Sequence, residues 1–173
     1  MKKLHKQFFF YLKSLIMKME MITLKIFIGA DHRGQALAHE IYEELKKENR
    51  QVYYSQVLET KDDDYPDFAF DVAHHVIEDK DNLGILLCGN GIGIGIAANK
   101  VKGIRCARVT NEDDAYKAKN HNGANMISFG GISLKEAMVM VHTFLDTPFA
   151  SEERHLKRIQ KIINYENGEY NEL

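Results

Sequence analysis

The sequence predicts an α/β protein, a three-layer αβα sandwich around a five-stranded parallel sheet of order 2-1-3-4-5. Three observations carry this reading. Short runs such as Leu83–Leu87 are apolar throughout, as strands buried on both faces are. Between such runs, apolar residues recur at helical spacing, as in Leu37, Ile41 and Leu45. No linker, internal repeat or low-complexity block interrupts the alternation, so residues 21–173 read as one domain.

In chain order, Leu24 to Ile28 is an apolar strand ending at Gly29, and Asp31-His32-Arg33-Gly34 is the turn into the first helix. Gln51 to Val57 is the second strand. Asp62, Asp63 and Asp64 mark a loop, and Pro66 suits the first turn of a helix reaching about Asp79, with Phe70, Ala73 and Ile77 facing inward. The third strand, Leu83 to Leu87, runs into Cys88 and a glycine loop, with helix from Ile96 to Lys100. Ile104 to Val109 is the fourth strand, followed by a capping box of Thr110 with Asp113 and a helix through Lys119. Met126 to Phe129 is the fifth strand. Ser133 with Glu136 repeats the capping pattern ahead of Leu134, Met138, Val141 and Leu145, and Pro148 ends that helix. A last helix covers about Ser151 to Tyr165.

Residues 1–20 stand apart. Five lysines oppose only Glu20, and Phe8, Phe9, Phe10, Leu12, Leu15 and Ile16 give an apolar side. Lys13 interrupts that stretch and no small-residue cleavage site follows, which argues against a signal peptide. The segment is also too short and charged to span a bilayer, and it reads as a basic extension from an upstream start.

A net charge of -2 gives no electrostatic footprint for nucleic acid, and no membrane partner is expected. Two cysteines, Cys88 and Cys106, make no disulfide scaffold; they read as reduced thiols of a cytoplasmic protein. His74-His75 has no metal spacing, and neither a metal nor a cofactor is expected.

In a sheet of this type ligands bind beyond the carboxyl ends of the strands, where strand order reverses. There the loops after strands one and three bring His32 and Cys88 into one crevice. Gly89, Gly91, Gly93 and Gly95 alternate with Asn90, Ile92 and Ile94, a pattern whose N–H groups can converge on an anion and favour a thiolate. Cys88 can equally be a small core residue, and the glycines can serve tight helix–strand packing. The spacing matches neither the dinucleotide fingerprint nor a P-loop. Asp31 and His32 suit anion contact or a cap with a surface histidine. His121, in Asn120-His121-Asn122-Gly123, suits a catalytic acid or a surface residue after a helix C-cap. Arg154 and Arg158, four apart, suit a phosphate monoester or a solvated basic face. Tyr65-Pro66 suits the crevice wall or a turn. His5, His39, His142 and His155 read as surface residues.

The segments GADHRG, DYPDFA, LLCGNGIGIGIAANKVKGIR, KNHNGANMISFG and ERHLKR, in that order over about Lys25 to Lys161, resemble the ribose-5-phosphate isomerase B family, which includes galactose-6-phosphate isomerases. The resemblance implies a Rossmann-like, flavodoxin-like fold and a metal-free, cofactor-free aldose–ketose isomerase of the pentose phosphate pathway. It implies a homodimer, or a tetramer, with active sites shared between subunits. Cys88 is then the base moving a proton between C2 and C1, and His121 opens the sugar ring. His32, Arg154 and Arg158 take the phosphate, the arginines coming from the second subunit. Asp31, Tyr65 and Asn122 contact hydroxyls, and the Gly89, Gly91, Gly93 and Gly95 amides stabilise the enediolate. The chain departs from the family at Asn90, where Thr or Ser is usual, and at Ile132, where Arg is frequent. Ribose 5-phosphate is the expected aldose. The alternatives are a six-carbon sugar phosphate of galactose 6-phosphate or allose 6-phosphate type, or a non-catalytic nucleotide- or phosphosugar-binding module.

Overall fold

A computed structural model describes residues 24–55, 57, 64–150 and 152–169. The expected extension at 1–20 lies outside them. The elements are β1 (Lys25–Ala30), α1 (Gln35–Lys47), β2 (Gln51–Tyr54), α2 (Tyr65–Ile77), β3 (Leu83–Leu87), α3 (Ile92–Ala98), β4 (Cys106–Arg108), α4 (Glu112–Asn120), β5 (Met126–Phe129), α5 (Leu134–Asp146) and α6 (Glu153–Glu166). All strand pairings are parallel. One core lies between the sheet and α1, α4 and α5, built on Ile26, Ile28, Leu45, Ile85, Leu87, Ile127 and Phe144. The other lies between the sheet and α2 and α3, built on Phe68, Val72, Leu86, Ile94 and Met126. This is the three-layer αβα architecture that the alternation of elements predicts.

The strand order is β2-β1-β3-β5-β4, which corrects the expected 2-1-3-4-5. Burial explains the exchange. Every residue of β5 is buried, including Met126, Ile127 and Phe129, whereas β4 has three residues, none fully buried, and Arg108 is exposed. Exposing β5 at the edge would forfeit about 1.5–3 kcal/mol for each large apolar side chain. The short strand with an exposed arginine costs least at the edge and is also a poor template for further pairing. The order still reverses between β1 and β3, which remain neighbours.

Local signals held in part. Ser133 and Glu136 form the reciprocal capping box on α5. On α4 the cap sits one residue later than expected: Asn111 accepts from the Asp114 N–H, and the Thr110 N–H and hydroxyl donate to Asp114. The buried face of α2 carries Phe68, Ala69, Val72, Ala73 and Val76, so Ala73 points inward as expected but Phe70 and Ile77 do not. Position 70 is on the solvent side because the neighbouring positions 68 and 72, four apart, already fill the interior stripe.

The β3 and β5 ends are bound together by a close approach of backbones. A Cβ at Gly130 would overlap the Cys88 carbonyl oxygen, a backbone atom with no room to retreat. Gly130→Ala is therefore expected to cost about 1–3 kcal/mol or more of folding stability. Gly168→Ala, at φ 73 in open space, is expected to cost only about 1 kcal/mol. Urea midpoints of the two variants check the contrast, and equal midpoints would contradict it.

Candidate functional site

Register assembles the crevice. Ala30 lies opposite Leu87, and Leu87 opposite Phe129, so the next residues of three strands, Asp31, Cys88 and Gly130, meet at one edge. The ladders extend by one bond each, Asp31 N–H to Leu87 O at 3.2 Å and Cys88 N–H to Phe129 O at 3.3 Å. Asp31 is buried and turns the chain into α1, its Oδ1 accepting from the Arg33 and Gly34 N–H groups at 2.9 and 3.1 Å. His32 beside it is exposed. The Arg33 side chain lies over Gly89, 3.4 Å from where a Cβ would stand.

Cys88 follows the end of β3 and lies in the core. It is 5% exposed and belongs to the core cluster with Phe68 and Ile94. Its sulfur also accepts the Gly91 N–H at 3.1 Å and lies 4.0 Å from Asn90 Oδ1. Gly91 holds φ 76, and a Cβ there would lie 2.5 Å from Phe129 Cα, so only glycine delivers that N–H. Cys106 is the contrast: burial pushes its thiol up to about 12, with only a partial offset from the Ser128 hydroxyl. Cys88 differs in carrying a backbone N–H donor on its sulfur.

The glycine loop is shorter than expected, because α3 starts at Ile92 rather than Ile96. Gly89, Asn90 and Gly91 form the loop itself. Asn90 Oδ1 accepts the Ile92 N–H at 3.0 Å, and Arg108 Nε donates to the Asn90 carbonyl at 2.9 Å. With its oxygen engaged, the Asn90 side chain offers its NH₂ as a donor; it has no hydroxyl with which to pass a proton. Gly93 and Gly95 lie inside the helix. The Tyr65 ring would stand 2.7 Å from a Cβ at Gly93, and Ser128 Oγ 2.5 Å from one at Gly95. Close packing thus accounts for these two glycines, as one reading of the sequence allowed, and it seats Tyr65 against the loop.

The remaining candidates gather elsewhere. His121 is the C-cap of α4, Asn122 Nδ2 donates to the Lys117 carbonyl at 3.1 Å, and β5 follows. Because β5 is parallel to β3, with Met126 opposite Gly84, this end of α4 lies at the strands' starting edge. Four residues of strand, about 13 Å at ~3.3 Å each, separate it from the Cys88 edge. Here the His121 ring stacks on His155 at 4.5 Å between centroids and 8° between planes, with the Tyr116 ring edge-on at 5.9 Å. His155 therefore is not the plain surface residue expected; no local pattern marks it, since the contact joins α6 to the end of α4. Arg154 and Arg158 flank it on α6 and are exposed. Arg154 pairs with Glu152 at 2.9 Å, an exposed pair worth at most about 1 kcal/mol and readily exchanged. His39 stacks on Tyr54, and His142 meets Glu48 at 2.7 Å.

Ile132 packs with Leu134 and Met138 against the first core, so no cation stands there. Among the described residues no cluster of His, Cys, Asp and Glu is arranged to hold a metal ion, and no helix is long and apolar enough to cross a membrane. A cavity of about 980 Å³ opens at the strands' starting edge, lined by Leu24, Leu83, Arg105, Lys119, Gly123 and Asn125; Cys88 is not among its walls.

Three comparisons match this geometry. The model of the Ribose/Galactose Isomerase family matches residues 26–162. Ribose-5-phosphate isomerase B of Mycobacterium tuberculosis is 38% identical over 149 residues, covering 84% of this chain and 92% of that protein. The crystal structure of ribose-5-phosphate isomerase B from Mycoplasma genitalium with bound ribulose-5-phosphate superposes with a TM-score of 0.78 at 41% identity, covering 84% of this chain and 98% of that one. The type B ribose 5-phosphate isomerase of Trypanosoma brucei does so with a TM-score of 0.76 at 36% identity, covering 83% and 99%. With the family model spanning all five strands and close relatives covered almost end to end, the chain belongs to the ribose/galactose isomerase family.

Proposed function

We propose that the protein is an aldose–ketose isomerase that interconverts D-ribose 5-phosphate and D-ribulose 5-phosphate through an enediolate, with Cys88 as the base. The observation that carries the reading is the sulfur at the end of β3, hydrogen-bonded by the Gly91 N–H, where the chain beyond β1 continues as Asp31. The relative whose solved structure holds ribulose-5-phosphate supports the choice of sugar.

The hard step removes a carbon-bound proton. The Cys88 thiolate takes the proton from C2 of the open-chain aldose. The C–H pair becomes the C1=C2 bond, and the carbonyl pair moves onto O1. A proton then passes from O2 to O1, and the thiol returns its proton to C1, giving the ketose. A positioned base contributes about 10²–10⁴-fold. Donors preorganised toward the new oxyanion contribute about 10²–10³-fold each, a role suited to the loop N–H groups and the Asn90 amide. Asp31 and Tyr65 border the same crevice and hold sugar hydroxyls, and His32 stands at its exposed side for the phosphate.

Ring opening precedes this chemistry. The C1–ring oxygen bond breaks, His121 delivers a proton to the departing oxygen, and the proton shed by the C1 hydroxyl returns through solvent. Arg154 and Arg158 suit the phosphate through paired, charge-assisted hydrogen bonds, with Asn122 on a hydroxyl. Within one chain His121 and Cys88 belong to opposite edges of the sheet. They act on one sugar only if a second copy brings its His121, Asn122 and α6 to this crevice. The proposed assembly is a homodimer with two shared sites.

Cys88→Ala is expected to lose isomerisation by at least about 10²-fold while binding ribose 5-phosphate with nearly unchanged affinity by calorimetry. Full turnover in that variant would remove Cys88 as the base. Mixing Cys88→Ala with His121→Ala protein, each inactive alone, should restore about a quarter of wild-type activity. Half of the randomly formed dimers are mixed, and each then carries one intact site of two. Absence of restoration in a mixture shown to exchange subunits would contradict the shared site.

A further inference from the structure

The His121 ring is held by another imidazole. His155, from the first turn of α6, lies flat against it at 4.5 Å and 8°, while Tyr116 closes the edge. Such stacking fixes the plane of both rings. His155 Nε2 is buried without a hydrogen-bond partner among the described residues. An unsatisfied buried nitrogen is unfavourable, so packing rather than polar bonding sets where this ring lies. Burial also holds His155 below its usual range, reinforced by His121, Arg154 and Arg158.

We propose that His155 is a positioning residue of the isomerase, whose imidazole face orients His121 for proton delivery to the ring oxygen. The proposal rests on the reading of His121 as the ring-opening group. α6 then performs two tasks: its arginines face the phosphate and its histidine aims the acid. Stacking from i+1 of one arginine and i−3 of the other ties the acid's orientation to the phosphate clamp, a coupling the sequence spacing makes automatic.

Two apolar variants of similar volume separate the flat face from mere bulk, and both remove the unsatisfied nitrogen, so neither should unfold the protein. The readouts are consumption of D-ribose 5-phosphate and exchange of the C1 proton of D-ribulose 5-phosphate with D₂O, followed by NMR. The second needs Cys88 and no ring opening. His155→Leu is expected to slow aldose consumption about 10- to 100-fold, the effect of a misplaced catalytic group, with C1 exchange within about twofold of wild type. His155→Phe should recover most of the aldose turnover. Equal loss of both rates, no loss of either, or a Phe variant as slow as the Leu variant would each overturn the proposal. A wild-type protein that neither isomerises nor exchanges would refute the isomerase reading instead.

Discussion

The structure depends on three parallel strands ending level with one another. β1, β3 and β5 stop at Ala30, Leu87 and Phe129, and the backbones beyond them pack so tightly that Gly130 has no space for a side chain against the Cys88 carbonyl. That contact pins the loop on which the sulfur sits. It also forces the left-handed turn at Gly91, which aims an N–H at the sulfur. One close backbone approach thus accompanies both the placement of the Cys88 sulfur and the donor on it.

Burial and reactivity are often set against each other for cysteine, but Cys88 combines them. It is 5% exposed and shares a core cluster with Ile94 and Phe68. The Gly91 N–H donates to its sulfur. Cys106, in the edge strand β4, shows the wall without that donor: its thiol is pushed up to about 12. The two sulfurs thus differ in backbone placement: Cys88 is buried with the Gly91 N–H on its sulfur, and Cys106 is half-buried in the edge strand.

Much of the fold was legible in the sequence because it is written in local patterns. Leu83–Leu87 announces a buried strand, and Ser133 with Glu136 announces a helix start. What the sequence concealed was non-local. Which of β4 and β5 stands at the edge depends on comparing their burial, a property no single window reports. Helix α3 began earlier than expected because glycine's poor intrinsic propensity hides a helix that tertiary packing against Tyr65 and Ser128 stabilises. At the site, Cys88 and its glycines were readable from their position after a strand. The stack of His155 on His121 was not, since it exists only when α6 folds back on the end of α4.

Parallel topology also separates the candidate residues within one chain. Helix C-termini fall at the edge opposite the strand ends, so a group placed like His121 cannot reach its own chain's Cys88 edge. The central claim, that the sugar is worked upon over the Cys88 sulfur, is tested most directly by alkylation with iodoacetamide, mapped by mass spectrometry, with and without ribose 5-phosphate. The account predicts modification of Cys88 in parallel with loss of activity, protection by the sugar phosphate, and an unmodified Cys106. Inactivation without modification of Cys88, or modification that the sugar phosphate does not slow, would contradict it.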